Sequence, residues 1–183
     1  MFVNRKPTLM ACVIKSYITC SPTDCASTVR TPPKSSLSRA NNGWLRRHET
    51  SRQEIADLLA IVDRDLADAA GNISPDWRFG IAYNGALKLC TILLHASGYR
   101  PEKTLQHYRA ITAMPLILGA EREDDADYPD RCRRKRNIAE YDRTDVVTER
   151  DTQELIEFTR ELRADVLQWV EQHHPELVPE GPA

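Results

Sequence analysis

From residue 50 onward the apolar positions fall into helical repeats. Ile55, Leu58, Leu59, Val62, Leu66 and Ala69 recur three or four apart, with Arg52, Glu54, Asp57, Asp63 and Asp65 among the polar positions. That spacing puts one apolar stripe along a helix. Thr50 with Gln53 reads as a capping box, and Gly71-Asn72 as the stop. Ser74-Pro75-Asp76-Trp77 is a restart, with Ser at the cap, Pro in the first helical position and an acid in the first turn. The second stripe, Ile81, Ala82, Gly85, Ala86, Leu89, Cys90, Leu93 and Ala96, ends at Gly98. Its many small residues predict a closely approaching neighbour, and the short connection predicts an antiparallel hairpin. Pro101-Glu102 opens a third, shorter helix carrying Leu105, Tyr108, Ile111 and Thr112, which Pro115 breaks or kinks. Residues 121–127 read as a solvated acidic loop, and Tyr128-Pro129-Asp130 as the start of a helix running to about Tyr141. Thr148, with Asp151 three residues on, caps a long last helix with the stripe Leu155, Phe158, Leu162, Val166, Trp169 and Val170, ending at His173-His174-Pro175.

The predicted fold is therefore all-α, a four- to five-helix up-down bundle. With 183 residues the chain can build one domain with a real core. The expected organisation is a disordered leader over residues 1–43, rich in Ser, Thr and Pro, a helical domain over 44–175 and a frayed tail over 176–183. No apolar run approaches the eighteen or so residues of a membrane span. The five Cys, at 12, 20, 25, 90 and 132, show no C-x-x-C spacing and read as free thiols of a reducing compartment, which makes the cytoplasm the expected location.

Net charge narrows the chemistry only locally. The overall value is −2, so any nucleic-acid contact has to come from a patch. No Gly-rich phosphate loop, nucleophile elbow or His-Glu-x-x-His is present. The carboxylate pairs Asp63/Asp65 and Asp124/Asp125 read as solvated. His95, near a helix end, reads as a surface or capping residue, since the local sequence offers no second ligand; the expected metal set is none, and no cofactor is expected. His107 reads as a partly buried residue packed between helices, ahead of a catalytic one.

One stretch stands out, Arg131-Cys-Arg-Arg-Lys-Arg-Asn-Ile-Ala-Glu-Tyr-Asp142, in which five of the six residues from Arg131 to Arg136 are basic. Asn137 and Tyr141 are four apart and share a helix face, and Arg133 lies one turn before Arg136 and Asn137. Arg133, Arg136, Asn137, Tyr141 and Asp142 fit the pattern Arg-x-x-Arg-Asn-x-x-x-Tyr-Asp. This resembles the signature helix of a branch of the HEPN superfamily, small helical proteins of bacterial defence and toxin–antitoxin systems, over residues 48–174. Ribonuclease members carry a His four to six residues beyond the Arg; Tyr141 stands there instead.

The resemblance implies a homodimer whose two signature helices form a basic groove, and a cytoplasmic module binding RNA, a nucleotide or a protein partner without catalysis, with a nucleotidyltransferase as one such partner. Arg133, Arg134, Arg136 and Asn137 are the anion-binding candidates. Arg136, Asn137 and Tyr141 are the catalytic candidates for the alternative, a metal-independent endoribonuclease, in which Arg136 stabilises the phosphorane and Tyr141 or a distant His takes the proton. A phenol is a poor base near neutral pH, so catalysis ranks below binding. A third reading is a dimeric scaffold in which Arg136 and Asn137 merely anchor the helix end.

Overall fold

The computed structural model describes residues 44–119, 122–143 and 145–179; the leader expected over residues 1–43 lies outside them. Five helices carry the fold: α1 (Arg52–Ala69), α2 (Pro75–Ala96), α3 (Gln106–Leu118), α4 (Glu123–Tyr141) and α5 (Glu149–His173). Two short strands, β1 (Leu45–Arg47) and β2 (Tyr99–Pro101), pair antiparallel with Arg46 opposite Arg100. The molecule is thus mostly helical, with a small ribbon beside the bundle.

The centre is α2. Phe79, Ala82, Leu89, Cys90, Ile92, Leu93 and Leu94 are at most 1% exposed, because other helices cover this one from several sides. α1 folds back along it: the Arg78 Nε donates to the Ala69 carbonyl at one end, and Glu54 meets His95 at the other. α5 lies beside α2 in the same direction, since Thr152 Oγ1 donates to the Pro75 carbonyl and Thr159 Oγ1 to the Ala82 carbonyl. Strict alternation of helix direction is therefore not kept. The connection through α3 and α4 gives the chain the length to return to the same end of α2. The small-residue stripe is where α5 comes close: a Cβ on Gly85 would meet the Thr159 methyl at 3.4 Å.

Several boundaries differ from the expected ones, each for a local reason. Ser51, not Thr50, caps α1 and accepts from the Glu54 N–H at 3.1 Å. The expected partner Gln53 instead donates to Asp57 at 2.8 Å. Pro101 ends β2 rather than opening α3, which starts at Gln106 after Leu105 at φ +54° and runs through Pro115 to Leu118. The acidic segment is the first part of α4, not a loop. The carboxylate of Asp125 suits the positive end of the helix dipole, Arg122 bridges Asp125 and Asp165, and Pro129 is accommodated inside the helix. The chain also stays on the bundle past His174: Pro175–Leu177 form one 3₁₀ turn, Leu177 is buried, and the Arg52 Nε donates to the Glu176 carbonyl at 3.1 Å. Burial of the Leu177 side chain holds the segment where a frayed tail is expected.

The cap of α5 matches expectation in full: Thr148 and Asp151 bond each other's backbone N–H groups. His173 binds a carbonyl as expected, its Nδ1 2.9 Å from the Trp169 oxygen. Cys90 and Cys132 are free and buried; the other three cysteines lie outside the described residues. Among the described residues no helix is long and apolar enough to cross a membrane.

Candidate functional site

The basic run lies on α4, which packs across α2 and α3. Its charges are matched at close range. Arg133 and Arg134 share Asp130, each at 2.9 Å, Lys135 meets Asp151 at 2.6 Å, and Arg136 meets Glu140 at 2.5 Å. All four contacts are the product of helical spacing or of α5 lying alongside. Arg131 stacks over the Tyr128 ring at 5.8 Å. With the paired side chains 18–65% exposed, solvent partly screens the pairs and another anion can compete for the cations.

Arg133, Arg136 and Asn137 are half-buried and Arg134 is exposed. Tyr141, at the end of α4, is 75% exposed. The four-residue spacing to Asn137 thus does not draw Tyr141 into the packed surface. What approaches the two arginines comes from other helices. Tyr83 on α2 and His107 on α3 have ring centroids 6.4 Å apart. Burial first, and then the positive charges of Arg136, Lys88 and Arg133, push the His107 imidazole below its usual pKa, which favours its neutral form. Burial pushes the Tyr83 phenol up, against the pull of Arg133 and Arg136, and its buried hydroxyl has no hydrogen-bond partner.

The site therefore combines two guanidinium groups, a neutral imidazole and an unpartnered phenol O–H. The cations can hold a phosphate and the imidazole can accept a proton, while the Tyr83 hydroxyl is buried behind them. His107 is partly buried between helices, as expected, and it also has charged neighbours that its own segment did not reveal. Tyr83 is the residue that sequence reasoning missed: it lies outside the predicted stripe of α2, yet it is 2% exposed because neighbouring helices cover α2 on more than one side. The counterions Asp130 and Glu140 stand at i,i+3 or i,i+4 from the arginines, a spacing that sequence reasoning did not use.

On its other side Arg136 borders a groove of about 760 Å³ between α1, α2 and α4, lined in part by Asp65, Trp77, Asn84 and Glu140. Asp65, expected to be solvated with Asp63, is 3% exposed. It accepts from Arg64 at 2.8 Å and from the Asn84 amide, and these bonds let a carboxylate stay charged in a packed position. Asp63 is the more exposed of the two and pairs with Arg163 at 2.6 Å. Among the described residues, metal-ligating side chains do not gather around Arg136. Among the described residues three come together elsewhere, at the C-terminal end of α2.

Compared with known proteins, the chain matches no family model, no curated protein sequence and no solved structure.

Proposed function

We propose that this protein is a HEPN-like helical module that binds RNA or a nucleotide through phosphate contacts on α4, as a homodimer in a bacterial defence or toxin–antitoxin setting. The observation that carries the reading is the placement of half-buried Arg133 and Arg136 on one helix, with the His107 imidazole within reach of their charge. The neutralising carboxylates of α4 do not oppose this, because surface pairs are weak. They imply modest affinity that falls steeply with salt.

Fluorescence anisotropy with a labelled single-stranded RNA tests it. Arg136→Ala weakens binding and makes the log–log salt dependence shallower by roughly 0.7, one phosphate contact in single-stranded RNA. No RNA binding at low salt, or an unchanged slope, refutes the reading.

A second reading, metal-independent cleavage, gains from one observation. A neutral imidazole beside two arginines supplies a proton acceptor that Tyr141, out in solvent, supplies poorly. Under this reading wild-type protein cuts RNA in the presence of a chelator, and His107→Ala abolishes cleavage while Tyr141→Phe does not. Chelator-resistant cleavage lost in Tyr141→Phe but kept in His107→Ala would instead return the role to Tyr141.

A further inference from the structure

At the opposite end of α2 from Ser74 three potential ligands meet. His48 follows β1, Glu54 lies in the first turn of α1, and His95 lies in the last turn of α2. The His48 Nε2 is 2.9 Å and 3.0 Å from the two Glu54 carboxylate oxygens. The His95 Nδ1 is 3.1 Å from Glu54 Oε1, and the two imidazole centroids are 4.5 Å apart. We propose that His48, Glu54 and His95 form a binding site for a zinc-type divalent cation, distinct from the α4 surface.

Three features favour a metal over a plain hydrogen-bond network. The first is the direction of Glu54. Ser51-Arg52-Gln53-Glu54 has the spacing of a reciprocal cap, in which the acid turns back to the Ser N–H. Only the Ser51 half is made; the carboxylate lies against the two imidazoles instead, with Thr50 Oγ1 donating to it at 2.8 Å. That hydroxyl is the kind of outer partner that orients a ligating carboxylate. The second is His95, which is 7% exposed and whose Nδ1 is buried without a hydrogen bond of acceptable geometry. Its one close polar neighbour is the Glu54 carboxylate at 3.1 Å, so a cation between the two would give both ligand atoms a better-directed partner.

The third is the donor set. Two imidazoles and one carboxylate on three separate elements are the ligands of open zinc sites, where solvent fills the fourth position. Ligand atoms at about 2.0–2.2 Å from a tetrahedral ion lie about 3.3–3.6 Å apart. The observed separations are a few tenths of an ångström shorter around Glu54, so small side-chain rotations would admit the ion. Glu54 keeps about a third of its side chain exposed, which leaves an entry path. Bound metal would tie the segment after β1 to the start of α1 and the end of α2.

The test uses the full chain, stripped with a chelator and titrated with Zn²⁺ alone by calorimetry, with Co²⁺ as a visible probe. Expected are one ion per chain, a cobalt d–d spectrum without thiolate charge-transfer bands, and a Tm raised by roughly 5–10 °C at Zn²⁺ about 100-fold above Kd. Glu54→Gln, close in size to the native side chain and checked by circular dichroism, weakens binding more than about 100-fold, beyond the range that loss of an outer partner explains. His95→Ala does the same, whereas a His173→Ala/His174→Ala double variant binds as wild type does. Absence of binding by wild-type protein overturns the proposal. So does binding that survives Glu54→Gln in a folded protein, or a cobalt spectrum with thiolate bands.

Discussion

Asp65 shows how a single residue can escape sequence reasoning. Its position in α1 neighbours the polar Asp63 and Arg64, and a carboxylate there looks solvated. The structure buries it against Arg64 and Asn84, a contact 19 residues away in sequence that no local pattern encodes. Asp65→Ala strands the Asn84 amide and is expected to cost about 1–3 kcal/mol, the usual penalty for an unpaired buried partner; urea unfolding checks it, and a change below about 0.5 kcal/mol would return Asp65 to the surface class. The glycines of α2 give a paired prediction. A Cβ on Gly80 meets nothing within 4 Å, while one on Gly85 is already in contact with Thr159. Gly80→Ala should therefore stabilise by about 1 kcal/mol through helix propensity. Gly85→Leu should destabilise by about 1–3 kcal/mol through overpacking against α5. Here the sequence was informative, since a stripe of small residues announces a close neighbour, though it does not name which helix that neighbour is.

Among the elements, those with capping chemistry and long apolar stripes were legible and the short or proline-containing ones were not. α2 and α5 begin where Ser74-Pro75 and Thr148-x-x-Asp151 place them. β1 and β2 have three residues each, too few for any period to register, and their pairing is held by backbone bonds across fifty positions. α4 begins earlier than Tyr128-Pro129 suggests, because a proline that reads as a start is tolerated inside. The cap of α5 carries a pH prediction. Burial raises the Asp151 carboxyl, but Lys135 and the Thr148 hydroxyl and N–H outweigh it and hold the pKa down to about 2. A pKa lowered on folding stabilises at pH values above the unfolded one and loses that stabilisation as pH falls through the folded one. The contribution is thus complete above about pH 4 and vanishes toward pH 2. Asp151→Ala should cost about 1 kcal/mol at pH 7 and flatten the decline of Tm between pH 4 and 2. Parallel curves for variant and wild type would show that the cap does not carry that slope.

For the whole molecule the open question is what covers the apolar surface that the bundle leaves bare. Trp169, at the aromatic end of the α5 stripe, is 7% exposed and stacked on His173 at 4.8 Å, so it is spent inside. Trp77 takes its place at 71% exposed, with Ile73 just before α2 at 49% and Tyr141 at the end of α4 at 75%. Trp77 borders the same groove as Arg136, Ala139 and Glu140, which sets an aromatic side chain beside the helix bearing the basic run. Large exposed aromatics on a small domain commonly mark an interface, and in a two-fold dimer the same patch serves both copies. The proposed homodimer would then form around the start of α2 and the end of α4, bringing the two Arg136 side chains near its axis. Sedimentation at micromolar concentration should give twice the 20.8 kDa of the chain. Trp77→Arg should return a monomer whose unfolding free energy, extrapolated to the monomer, changes by less than about 0.5 kcal/mol, since the side chain supports nothing in its own protomer. If RNA binds across the pair, that variant also loses affinity although no phosphate contact is touched. A wild-type monomer that stays monomeric as concentration rises rejects the dimer, and RNA affinity unaltered in a monomeric Trp77→Arg would leave the α4 site complete within one chain.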